Sequence, residues 1–182
     1  MTWTSFHRRG DVLRDVIATA DRRRDGALPT DLEGVSATFA DDLDLLAALQ
    51  LKWHTRLAGR IEREQLTQPM NLRAAVVRAW HQTADELPGI RAILDEARLR
   101  PADDEIAGIM RKSAAKEHVL LAVMAGEASA HDALAAAVGA RIEAEAKATW
   151  PSYDVLEGLT DDGMHDTERP TFLGRLKAAL AA

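Results

Sequence analysis

The chain has 182 residues, enough for one domain with a real hydrophobic core. Hydrophobic residues at 47% against 29% charged ones exclude the disordered class, and a net charge of -6 excludes the basic footprint of a nonspecific nucleic-acid binder. The absence of cysteine excludes disulfide frameworks, thiolate zinc sites, iron-sulfur clusters and cysteine nucleophiles together.

Helix formers dominate, apolar residues recur at spacings of three and four, and no alternating run of Val, Ile, Thr and aromatic residues reads as a strand. The expected class is therefore all-α. A first helix is predicted from Ser5 to about Arg24, with Phe6, Leu13, Val16, Ile17 and Ala20 on one side and Asp25-Gly26 as its stop. Arg22, Arg23 and Arg24 at its end complement the helix dipole. Residues 1–24 hold six Arg against three Asp, whereas residues 25–51 hold Asp25, Asp31, Glu33, Asp41, Asp42 and Asp44 with no Lys or Arg. Pairing between these two pieces is expected.

Phe39, Leu43, Leu46, Leu49, Trp53, Leu57 and Ile61 predict a second helix from about Ser36 to Gln65, closed by Gln68-Pro69. A third runs from Asn71, its N-cap, to about Leu99, and Pro88-Gly89 kinks or splits it. The acidic cluster Asp103, Asp104 and Glu105 suits the start of a fourth, ending near Gly126. Ser129 with Asp132 resembles a capping box for a fifth, from Ala130 to about Trp150, where Pro151 stops it. Residues 151–170 read as loop, and Thr171 to Ala182 as a last amphipathic helix carrying Phe172, Leu173, Leu176 and Leu180. The expected architecture is a single domain. Its core is an antiparallel four-helix bundle, roughly 36–66, 71–99, 103–126 and 129–150, with helical arms at both ends.

Winding the second helix at about 100° per residue places Gln50 and His54 inside its apolar arc. The same exercise puts Glu117 among Met110, Leu120, Leu121 and Met124, and His131 beside Leu134, Val138 and Ile142, with Glu145 one turn further along. A carboxylate on a buried stripe is costly unless it is paired, protonated or bound to a cation, so Glu117 is the most informative residue in the chain. One reading makes Gln50, His54, Glu117 and His131 a ligand-binding or buried polar cluster; for Gln50, His54 and Glu117 it is a hydrogen-bonded set with Arg141 as counter-ion that fixes helix pairing. Trp53 and Trp80 are expected as core.

A second reading gathers His54, His81, Asp85, Glu117, Glu127 and His131 around a mono- or dinuclear site for iron, manganese or zinc. His81 with Asp85, and Glu127 with His131, lie four apart, so both members of a pair can reach one ion. In general plan this is similar to the hemerythrin and ferritin-like bundles. The resemblance is one of plan alone, because the chain contains no Glu-x-x-His and no His-x-x-x-His segment.

No P-loop, dinucleotide fingerprint, nucleophile elbow or His-Glu-x-x-His motif is present. Ser113, one turn before Glu117, has no oxyanion hole written near it. The expected function is that of a nonenzymatic interaction or regulatory protein, with a protein partner or homodimer and no required cofactor. The alternative is metal or small-ligand binding in the bundle core. A cytoplasmic location is expected, since no apolar run approaches the roughly 20 residues that span a bilayer.

Overall fold

The computed structural model describes residues 3–129 and 133–150. Among them are seven helices and no strand: α1 (Trp3–Arg23), α2 (Val35–Thr38), α3 (Asp42–Thr67), α4 (Leu72–Glu86), α5 (Pro88–Leu99), α6 (Asp104–Met124) and α7 (Ala133–Thr149). The protein is all-helical over this range. The Ser129 and Asp132 cap, His131 and the final helix at Thr171–Ala182 involve positions outside the described residues.

Local chemistry sets most of the boundaries. Asp41, Asn71 and Asp103 each accept a hydrogen bond from the backbone N–H three residues on, at 2.8, 3.1 and 2.8 Å, and so start α3, α4 and α6. The expected start near Ser36 is corrected. The single turn α2 ends because Phe39 is extended and buried, and Asp41 then begins a new helix with its own cap. Pro88 splits the expected third helix at Leu87: it has no N–H to donate, and it disfavours helical backbone in the residue before it. Gly126, at φ 72°, closes α6 with the paired bonds Gly126 N–H to Val123 O and Glu127 N–H to Ala122 O, both 3.0 Å.

One hydrophobic core runs through α1, α3, α4, α5, α6 and α7, with Trp53, Trp80, Leu57, Ile90, Leu121 and Ile142 almost fully buried. The helix expected as an N-terminal arm is part of it. Val12, Val16 and Ala20 of α1 are buried in the same cluster, and α1 packs on α2, α3 and α5. Gly89 permits the close crossing of α1 and α5, because a Cβ there would stand 2.2 Å from the Ala20 carbonyl carbon. At the same crossing the Asp21 carboxylate accepts from Gly89 N–H at 2.8 Å and caps α5 from another helix. The basic first helix does pair with the acidic stretch after it, through Arg9–Asp44 and Arg23–Asp31, both 2.7 Å.

Around the remaining core, α3 packs on α4, α4 on α7, α7 on α6 and α6 on α3. α7 is rotated from the expected face: Ile142 is buried and Val138 packs on the core as expected, but Ala135, Gly139, Glu143 and Ala146 are buried too, while Leu134 and Glu145 are exposed. Backbone proximity decides this. A Cβ on Gly139 would fall 1.7 Å from His118 O, so α6 and α7 meet along small residues rather than along the largest apolar ones. No helix among the described residues is long and apolar enough to cross a membrane.

Candidate functional site

Glu117 has no solvent exposure, as its place on the stripe of α6 requires. Its counter-ions come from α5, where Arg91, Asp95 and Arg98 lie at helical spacing on one face. Arg98 Nη2 donates to Glu117 Oε2 at 2.6 Å, and Arg91 Nη1 reaches Oε1 at 3.5 Å. Trp53 Nε1–H donates to the same Oε1 at 3.0 Å, and the Arg91 guanidinium lies over the Trp53 ring, 4.7 Å from its centroid. The expected counter-ion Arg141 is exposed on α7 and takes no part.

The cluster continues onto α7. Glu143, also buried, accepts from Arg98 Nη1 at 3.0 Å and sits 2.6 Å from His118 Nε2. Lys147 lies 3.3 Å from Glu143 and 2.8 Å from Asp95, which in turn holds Arg91 through two bonds of 2.7 and 3.1 Å. Three carboxylates thus face two guanidiniums and one ammonium. The formal charges cancel.

Burial pushes the Glu117 carboxyl upward, but His54, Arg91, Arg98 and Trp53 together outweigh it and hold the group well below the usual carboxylate range. Glu143 is held at about 2: burial raises it, His118 lowers it, Glu117 opposes, and Arg91 and Lys147 lower it again. A sealed carboxylate kept this far below neutrality neither donates nor takes a proton near neutral pH. The charge cluster ties α5, α6 and α7 to Trp53 of α3.

Next to this cluster, a cleft of about 360 Å³ opens between α3 and α6. Gln50 and His54 line it from α3, and Lys112, Ser113 and Lys116 line it from α6. Leu46, Leu51, Ile109 and Met110 supply apolar walls, and no acidic side chain contributes. Gln50 is only 8% exposed, yet neither Nε2 nor Oε1 of its amide meets a hydrogen-bond partner among the described residues. His54 Nε2 stands 3.4 Å from Glu117 Oε2, close enough for an ion pair but without hydrogen-bond alignment. His54 therefore joins the cleft to the charge cluster.

The structure brings Gln50 and His54 together on the cleft and sets Glu117 behind them. Gln50 is not bonded to either, in contrast to the expected set. The other candidate ligands are dispersed: His81 Nε2 is 2.8 Å from Ala146 O, Asp85 accepts from Trp150 Nε1–H at 2.9 Å, and Glu127 pairs with Arg73 at 2.5 Å. His131 lies outside the described residues. Among the described residues no group of three or more His, Asp or Glu side chains is placed to hold a metal ion.

Sequence reasoning missed Arg91, Arg98, Glu143 and His118. The spacing of Arg91, Asp95 and Arg98 was a usable signal, since three charged residues on one face of a helix after Pro88 need partners. No protein-family model, curated protein or solved structure matches the chain.

Proposed function

We propose that the chain is a nonenzymatic binding protein that takes a small ligand in the cleft between α3 and α6. The observation that carries this reading is Gln50: a buried amide with neither donor nor acceptor satisfied costs about 1–3 kcal/mol, and a ligand that parts the α3 and α6 walls far enough to pair with it recovers that cost. The charge cluster supplies rigidity beneath the cleft rather than chemistry. The scaffold of this reading is the four-helix bundle, with α3, α4, α6 and α7 as its members; their closed cycle of pairwise packing supports it.

The test is a screen of neutral, anionic and cationic fragments against the full-length protein, read by amide chemical shifts of α3 and α6. Fragments that bind in the cleft are expected to move the Gln50 side-chain resonances. The Gln50→Leu variant is expected to lose those ligands while gaining about 1 kcal/mol in urea unfolding, because it removes an unpaired buried amide. A screen in which nothing moves the cleft resonances, or a Gln50→Leu protein that binds normally, overturns the reading.

A second reading is the protein partner or homodimer expected from the sequence. Leu51 favours it: this leucine is 68% exposed at the edge of the same cleft. Light scattering separates the cases, with a dimer that becomes a monomer on Leu51→Glu expected for a homodimer.

A further inference from the structure

The chemistry of the cleft walls restricts what the ligand carries, and where. At the buried end, the Gln50 amide holds an unpaired donor and an unpaired acceptor side by side, both closed to solvent, so a ligand reaches them only by parting the α3 and α6 walls; the pattern is matched by a group with its own adjoining acceptor and donor, as in an amide. That end of the ligand is neutral. Behind His54 lies the Glu117 carboxylate, already balanced by Arg91 and Arg98, and a further anion beside it would add uncompensated charge at low dielectric.

At the mouth, Lys112 and Lys116 stand one turn apart on the exposed side of α6, and neither forms a salt bridge among the described residues. Two ammonium groups with no acidic neighbour on the cleft favour an anion there. Between the two ends, Leu46, Leu51, Ile109 and Met110 offer only apolar contact.

We propose that the ligand of this cleft is a small amphipathic molecule with an amide-type donor–acceptor group that pairs with Gln50, an apolar body along the α3–α6 walls, and a carboxylate held by Lys112 and Lys116. The inference rests on the cleft being a ligand site. A cleft of about 360 Å³ is at the small end of the range for organic ligands, which suits a body of this modest length.

Suberic acid monoamide has all three parts; octanoate lacks the amide and octanamide lacks the carboxylate. Titration of the three into isotopically labelled full-length protein, followed at the Gln50 side chain and along α3 and α6, is the experiment. The monoamide is expected to bind about tenfold more tightly than either truncated probe. Gln50→Leu is expected to weaken the monoamide to the level of octanoate and leave octanoate unchanged. Lys112→Gln combined with Lys116→Gln is expected to weaken the monoamide and octanoate and leave octanamide unchanged. Equal affinity of monoamide and octanamide, or indifference to the lysine pair, overturns the anion assignment. Equal affinity of monoamide and octanoate overturns the amide assignment. If other fragments move the cleft resonances and the monoamide does not, the ligand class is wrong while the cleft remains a site; if nothing moves them, both conclusions fall. The probe series needs no variant, so a misfolded mutant does not shield the proposal.

Discussion

A carboxylate with no exposure persists in a core only when cations replace its lost water, and at Glu117 Arg98, Arg91 and the Trp53 N–H do so. Removing the charge from one side leaves guanidiniums buried. Glu117→Gln is therefore expected to cost about 3 kcal/mol, less than the extreme because Arg98 keeps Glu143 and Arg91 keeps Asp95. Urea unfolding measures it. Adding Arg98→Met is not expected to restore the loss, because Arg98 also donates to the buried Glu143 at 3.0 Å; a single-variant loss below about 1 kcal/mol would place the group in solvent instead. Periodicity alone made Glu117 legible, because burial of a short carboxylate on a regular helix follows from position. Its partners were legible only as a charged face on α5. Arginine stems lie along apolar surface whether or not the head is buried, so the pattern of α5 could not say which guanidiniums turned inward. Gln50 and His54 were visible as inward residues, but the cleft that leaves Gln50 unpaired exists only once α6 lies beside α3.

Helix boundaries were easier to read than helix faces, and the glycines of this chain explain why. Asn71, Pro88 and Asp103 act within four residues of themselves, so their effects are written locally. The face of α7 is not, because it is set by how closely another helix approaches. Expected hydrophobic ranking turned Leu134 inward; the contact of Gly139 with His118 O turned it out. Two alanine substitutions separate local from tertiary demands. Gly59 in α3 has nothing within 4 Å of an added Cβ, so Gly59→Ala is expected to stabilise by about 0.5–1 kcal/mol through helix propensity. Gly139→Ala gains the same propensity but drives a methyl into the α6 backbone, and a net loss of about 1–3 kcal/mol is expected. Thermal melts of the two variants should shift in opposite directions. Two upward shifts would mean that α6 and α7 do not touch as described.

Across the whole molecule, carboxylate–guanidinium pairs recur at the helix contacts, and this makes stability depend on acid. Between α3 and α4, Glu86 is held at about 2 by Arg56, with Arg60 adding to it; between α5, α6 and α7, Glu143 is held at about 2 and Glu117 lower still. Guanidiniums do not titrate in this range, so only the carboxylates matter. Their folded values lie below the ordinary 4.5, so as pH falls the unfolded chain takes up protons first and the equilibrium moves toward it. The stabilisation is complete above about pH 4.5 and is lost as pH falls toward about 2. Denaturant midpoints taken across that interval are expected to fall steadily. The two clusters should differ in their response to salt. Glu86 is 30% exposed and its pairs are screened, whereas Glu143 at 9% is shielded. Glu143→Gln is therefore expected to flatten the acid limb at both low and high salt, while Glu86→Gln changes it mainly at low salt. A midpoint independent of pH between 4.5 and 2 in the unmutated protein would mean that these pairs do not hold the helices together.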